Sequence, residues 1–260
     1  MELSEESGEK YKKVNLILED DCTIEVEIDK SIAEEIRKNN KINSENIDLK
    51  LSKVEDVYRY LIYYKKNKLL KKALKKDGTK FSESKYGDRS TGRDKNKYKS
   101  IVLLLESPHC DEFDSNNNPI APAQGETGKL IDEKILSVLD EILRLDKNTI
   151  LAEDEKLRVI IANPIQYQTS LYMYHNKKLE DEYQTLRNRC WRKIWDEKKI
   201  KDDFEKRIKQ YNPVLIINAC TYSLKDKVTK FLKDNKFENV YTSYHPSYWK
   251  GFNIKKEDWF

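Results

Sequence analysis

Ser100-Ile-Val-Leu-Leu-Leu-Glu106-Ser-Pro-His109 is a short apolar run that ends abruptly in polar residues. Three later stretches repeat the design: Arg158-Val-Ile-Ile-Ala-Asn163-Pro, Val214-Leu-Ile-Ile-Asn218-Ala-Cys220 and Val240-Tyr-Thr-Ser-Tyr-His245-Pro-Ser247. A strand that is apolar on both sides of its pleat is buried on both faces, which is the habit of parallel sheets. In open α/β sheets the ligand crevice lies just beyond the carboxyl ends of such strands. The four polar ends are therefore expected to converge, a layout that suggests an enzyme.

Working outward, the segments between the runs have helical periodicity. Leu130, Ile131, Ile135, Val138, Leu139 and Ile142 form one face over residues 129–145. After the second run, Leu179, Tyr183, Leu186, Cys190 and Ile194, and later Ile200, Phe204 and Ile208, share a stripe, and a helix over about residues 224–232 links the last two runs. Such alternation requires right-handed crossovers. The expected fold class is α/β: a three-layer α/β/α domain over residues 98–260 with a central, mostly parallel four-stranded sheet.

Upstream, residues 1–79 read as a small N-terminal α+β appendage. Alternating segments near residues 14–18 and 23–28 suit a hairpin. Two helical patterns follow, the second over residues 53–76 with Val54, Val57, Tyr58, Leu61, Ile62 and Leu69 at helical spacing. Residues 80–97 have loop chemistry and form a basic linker. That linker, with the lysine-rich stretch before it, reads either as a solvated tether or as a phosphate-tracking surface.

Composition narrows the setting. The 260 residues suffice for a sizeable core, and the net charge of +4 is too small to establish nucleic-acid binding. No apolar stretch approaches the roughly 20 residues needed to cross a bilayer, and the acidic start is unlike a signal peptide. A cytoplasmic protein with no membrane partner is expected. Cys22, Cys110, Cys190 and Cys220 lie far apart with no Cys-x-x-Cys pair, which argues against a disulfide framework and a zinc ribbon. Neither a phosphate-binding Gly-x-x-x-x-Gly-Lys loop nor a clustered set of metal ligands is present, so no metal and no cofactor are expected.

Five motifs in order then carry a resemblance: Leu105-Glu106-Ser107-Pro108; Pro122-x-x-Gly125-x-x-Gly128-x-Leu130; Ile161-Ala-Asn163; Asn212-Pro-Val-Leu-Ile-Ile-Asn-Ala219; and His245-Pro-Ser247. From about residue 98 onward the chain resembles the uracil-DNA glycosylase superfamily. The first two loops are similar to the iron-sulfur branch. The tail, His245-Pro-Ser-Tyr-Trp-Lys-Gly-Phe252, is closer to the branch with a Gly-Gln-Asp-Pro-Tyr-His loop.

The resemblance implies a DNA partner and a catalytic pair. Glu106 matches the carboxylate that stabilises a cationic sugar or activates water, and His245 matches the donor to the leaving base's carbonyl. Asn163 matches the reader of the base edge, beside Ala123 and Gln124 in the second loop. Ser107, His109, Gly125 and Ser247 fall where DNA is gripped, and Trp249, or else Tyr248, where a wedge enters the vacated stack. Plainer structural roles remain open for these positions: a turn cap for Glu106, a turn for Asn163, a core histidine at His245, a packed tail for Trp249 and Trp259.

Departures from the family pattern sharpen the expectation. Ser107 replaces the aspartate of the second branch, so Glu106 must carry the charge. Three of the four cluster cysteines have no counterpart, with only Cys190 near an expected position, so no iron-sulfur cluster is expected. Ala123 replaces an aromatic ring that stacks on uracil, forfeiting about 1–3 kcal/mol per base and opening space. A modified pyrimidine larger than uracil, of the glycosylated kind found in phage DNA, and a role in antiviral defence follow as the expected substrate and purpose. Ordinary uracil repair, with Phe113, Tyr167 or another ring taking over the stacking, and an inactive DNA-binding module are the alternatives. Protein partners are not identified by the sequence.

Overall fold

A computed structural model describes residues 10–19, 22–65, 68–73, 99–145, 156–177, 180–249 and 254–257. The basic linker, Lys250 to Phe252 and Trp259 lie outside the described residues.

The described residues fold into a mixed α/β structure with two sheets. In the smaller sheet, β1 (Tyr11–Leu18) pairs antiparallel with β2 (Cys22–Asp29), with Val14 opposite Val26 and Leu16 opposite Ile24, and parallel with β3 (Asp48–Leu51). The expected hairpin is present. Helix α1 (Lys30–Asn39) follows β2 and buries Ile32, Ala33 and Ile36, the first of the two expected helical patterns.

The second pattern is corrected. Two antiparallel strands, β4 (Val57–Lys65) and β5 (Lys68–Ala73), stand there, not a helix. Strand β4 pairs antiparallel with β7 (Lys156–Ala162), so this pair precedes the boundary suggested by composition yet belongs to the larger sheet.

That larger sheet is also wider than expected, with seven strands instead of four. Its order is β10-β9-β8-β6-β7-β4-β5, where β6 is Ser100–Leu104, β8 Pro213–Asn218, β9 Val240–Thr242 and β10 Lys255–Lys256. The four strands read as apolar runs, β9, β8, β6 and β7, run parallel to their neighbours, and antiparallel strands flank them on both sides. The sheet is therefore mixed.

Burial on both faces explains the continuous apolar runs. Ile101, Leu103, Val159, Ile161, Leu215 and Ile217 share a core with Ile131, Ile135, Val138 and Ile142 of α2 (Glu126–Leu145). Their alternates Val102, Leu104, Ile160 and Ile216 belong to a second core. After the one-turn α3 (Tyr172–His175), that core receives Trp191 and Ile194 from α4 (Asp181–Asp196), Phe204 and Ile208 from α5 (Lys198–Gln210), and Leu224 and Val228 from α6 (Tyr222–Asp234). The segments after β6 and β8 thus send their helices to opposite faces. The gap between two adjacent parallel strands whose connections diverge is where an α/β sheet opens a crevice.

Candidate active site

A cavity of about 360 Å³ opens at the carboxyl ends of β6, β8 and β9. Its size falls in the range of small-molecule sites, about 300–1,000 Å³. Glu106 and Ser107 reach it from the end of β6, Thr221 from the end of β8, and His245 with Ser247 from the loop after β9.

Glu106 is buried and held from two sides. Arg187 Nη1 of α4 donates to Oε1 at 2.6 Å, forming an ion pair. Oε2 accepts from the Thr221 backbone N–H at 3.2 Å and from the Thr221 hydroxyl. Behind it, Trp191 Nε1 donates to the Glu106 carbonyl at 3.0 Å. The carboxylate is thus a fixed charge with one orientation rather than a cap on a turn.

His245 begins a 3-10 turn, Pro246–Tyr248, and accepts at Nδ1 from Ser247 N–H at 3.3 Å, with the Ser247 hydroxyl 2.8 Å away. An imidazole that accepts at Nδ1 carries its proton on Nε2. Burial lowers the His245 pKa below 6.5, and Arg187, Lys225 and His109 lower it further against the opposing pull of Glu106. The ring is therefore a neutral hydrogen-bond donor at pH 7.

The loop between β6 and α2 forms another wall. Ala123 lines the cavity in left-handed backbone (φ 57°), a conformation that costs a non-glycine residue about 1–2 kcal/mol. Both its peptide groups are engaged: its N–H donates to Glu112 Oε1 at 2.7 Å, and its carbonyl accepts from Arg59 Nη1 at 2.6 Å. A Cβ on Gly128 would stand 1.9 Å from that carbonyl, and one on Gly125 would stand 2.1 Å from Asp111 Oδ2. The Ala123 backbone thus demands a glycine at 128, whereas at 125 the obstacle is an exposed side chain that can swing aside.

The wall also includes Glu112, which sequence reasoning missed. Burial pushes its carboxyl up from 4.5 to about 8, against hydrogen bonds from backbone N–H groups and the charge of Arg59. Between these values the folded state keeps a proton that the unfolded chain gives up, so stability falls as pH rises through that window. Glu112→Gln, which needs no proton, should melt above the wild type at pH 8.5 and close to it at pH 4, as calorimetry would show.

The remaining sequence-derived residues divide. His109 and Tyr248 line the cavity, Tyr248 at 70% exposure. Asn163 does not line it. It stands beside Leu105, one strand over, at 0% exposure, with neither amide atom hydrogen-bonded. Its backbone is clamped instead: Asp56 accepts from its N–H at 3.1 Å, and Arg207 Nη2 donates to its carbonyl at 3.2 Å. Gln124 also stands outside the wall, its amide near the Pro122 carbonyl. Phe113 and Tyr167 are buried elsewhere.

Trp249, the first candidate wedge, is 1% exposed and donates Nε1–H to the Tyr244 carbonyl at 2.8 Å. It packs with Leu105 and Ala123 in the α2-side core, so Trp249→Ala should cost about 3–5 kcal/mol in denaturant unfolding. Tyr248→Ala should stay within about 0.5 kcal/mol of wild type.

His109 Nδ1, Cys110 Sγ and the Asp111 carboxylate lie within 4.8 Å of one another. The Asp111 N–H donates to His109 Nδ1 at 3.4 Å within this set. All four cysteines are free thiols, with Cys190 in the core among Trp191 and Ile194. Among the described residues, no helix is long and apolar enough to cross a membrane. No family model matches the chain, and neither a curated protein nor a solved structure matches it.

Proposed function

We propose that this chain is a DNA glycosylase that hydrolyses the N-glycosidic bond of a flipped-out base and leaves an abasic site. The observation that carries the reading is the convergence of Glu106 and His245, 139 positions apart by their numbering (245 minus 106), on one cavity at the carboxyl ends of parallel strands. The four parallel strands inside the larger sheet support the superfamily resemblance, with the antiparallel flanks as additions to it.

In this reading the C1′–N bond breaks with its electron pair leaving on the base. Nε2–H of the neutral His245 donates to the base's carbonyl oxygen as negative charge develops there. Glu106, fixed by Arg187 and Thr221, faces the cationic sugar carbon or orients the water that adds to it. The proton released by that water ends on the departing base. Tyr248, exposed at the cavity wall, takes the wedge role in place of Trp249, and Ser107, His109, Gly125 and Ser247 border the path of the DNA strand. Asn163 reads the base only if the strand end carrying it shifts toward the cavity, which its two unpaired amide atoms would favour.

Because the working form of His245 is neutral and its pKa lies below 6.5, turnover should hold steady as pH falls from 8 to 6.5 and decline below that. A pH–rate profile whose acid limb falls above 6.5 would contradict this assignment.

Ala123 stands in the cavity wall where the family pattern places a stacking ring, which supports a base larger than uracil: a modified or glycosylated pyrimidine of phage DNA, excised inside the cell as antiviral defence. The test is incubation with oligonucleotides carrying uracil, hydroxymethylcytosine or glucosylated hydroxymethylcytosine, followed by alkali cleavage at abasic sites. Cleavage of the bulky substrates is expected. Cleavage of uracil DNA alone would return the chain to ordinary repair.

One observation favours a second reading. Both oxygens of Glu106 are already engaged, by Arg187 and Thr221. A chain that binds DNA through this cavity without turnover would show the same contacts, and would cleave none of these substrates.

A further inference from the structure

Exposed aromatic rings gather around the cavity. Among the described residues four aromatic side chains are exposed, all tyrosines: Tyr11, Tyr222, Tyr244 and Tyr248. Tyr11 carries the charged groups of Lys10 and Arg189 over its ring. The other three belong to the two connections that supply Thr221 and His245. Tyr222 directly follows Thr221, Tyr244 directly precedes His245, and Tyr248 itself lines the wall. Their exposures are 87%, 48% and 70%. A single exposed ring needs no explanation, but several at the mouth of one cavity mark an interaction site.

The backbone spreads these rings along the edge of the sheet. Tyr222 opens α6, whose Leu224 and Val228 enter one core, whereas Tyr248 precedes Trp249, which enters the core on the opposite face. Tyr244 and His245 lie between β9 and the turn that carries Tyr248. Lys225 links the first two rings. It stands three positions after Tyr222 on α6, donates to the Ser243 carbonyl, and places its ammonium 6.0 Å from the centroid of the Tyr244 ring. No carboxylate side chain occurs from Val240 to Trp249, so this loop offers a phosphate no like charge. Asp111 and Glu126, the acidic groups of the opening, come from the segment between β6 and the first turn of α2.

We propose that Tyr222, Tyr244 and Tyr248 form a stacking platform for single-stranded DNA, holding the bases on either side of the nucleotide that enters the cavity. The choice of DNA rests on the glycosylase reading. Stacking of bases on aromatic side chains tolerates any sequence because every base has a π-face. In an intact duplex those faces are already covered by neighbouring bases, and a wedge needs only one ring. Three rings around one opening suit a strand whose bases are free. On such a strand Tyr248 has no paired base to displace, and its ring stacks on the neighbour of the target instead.

The test measures binding of the full chain to labelled oligothymidylate of about 15 nucleotides, to its duplex with oligodeoxyadenylate, and to oligouridylate RNA of the same length, none of which requires cleavage. The single DNA strand should bind at least about tenfold more tightly than the duplex. Tyr222→Ala, Tyr244→Ala and Tyr248→Ala should each weaken single-strand binding by about 5- to 100-fold, the range of one lost stack. Tryptophan at the same positions should restore it and leucine should not. Equal affinity for the duplex, or alanine variants that bind like the wild type, would overturn the platform, and abasic sites in the cleavage assay would then leave the glycosylase reading standing. A loss confined to Tyr248→Ala would reduce the platform to a single wedge and overturn it likewise. Rescue by leucine as good as by tryptophan would overturn stacking. Tighter binding of the RNA would overturn the choice of DNA. Binding to none of the three, together with an absence of abasic sites, would remove this inference and the glycosylase reading together.

Discussion

Glu106→Gln should bind DNA within a few-fold of the wild type and lose about 10²- to 10⁴-fold in turnover, the range spanned by a positioned acid or base. The substitution keeps the side chain's shape and an oxygen for Arg187, but removes the charge that faces the sugar. It also presents an amide N–H₂ to the Thr221 backbone N–H that Oε2 now accepts from, so a stability loss of about 1–3 kcal/mol accompanies it. Single-turnover kinetics on an oligonucleotide substrate, with affinity measured in parallel, separate the two effects. Unchanged turnover would remove Glu106 from the mechanism.

The second large effect is on stability. Asp56 ties three segments together: it accepts from Asn163 N–H at 3.1 Å, from the Tyr211 hydroxyl at 2.8 Å, and from Arg207 Nη1 in a buried ion pair. Arg207 in turn donates to the carbonyls of Asn163 and Pro164. Removing one member of a buried pair strands the other charge, so Asp56→Ala should cost about 3–5 kcal/mol in denaturant unfolding. The partner on the exposed side of Arg207 gives the contrast. Asp203 is half-exposed, and Asp203→Ala should cost less than about 1 kcal/mol. Equal losses from the two variants would mean that the pair with Asp56 does not hold the end of β7.

How much of this was legible in the sequence depends on what each residue answers to. The four parallel strands were readable because burial on both faces leaves a continuous apolar run, and α2 because one apolar stripe recurs over five turns. The β4–β5 pair was not. A bulge between Tyr58 and Tyr60 shifts the pleat by one residue, so that Val57, Arg59, Tyr60 and Ile62 are all buried. The period of two is broken, and the remaining apolar positions mimic helical spacing. The buried Arg59 misleads further, since its charge suggests solvent while its guanidinium actually binds the Pro122 and Ala123 carbonyls.

The site divides along similar lines. Glu106, Ser107, His245 and Ser247 were found because strand ends announce a crevice. Arg187, Thr221 and Glu112 were missed because each matters through a partner remote in sequence, and no local pattern marks an arginine that will meet a carboxylate 81 positions away. Trp249 and Tyr248 are adjacent and chemically alike, so only the fold could decide which ring packs inward.

The most direct measurement is mass spectrometry of the small molecules released when the protein is incubated with DNA containing bulky modified pyrimidines. A free modified base should appear with wild-type protein and be strongly reduced with Glu106→Gln or His245→Ala. DNA that keeps all its bases under conditions where the protein demonstrably binds it would contradict excision at this cavity.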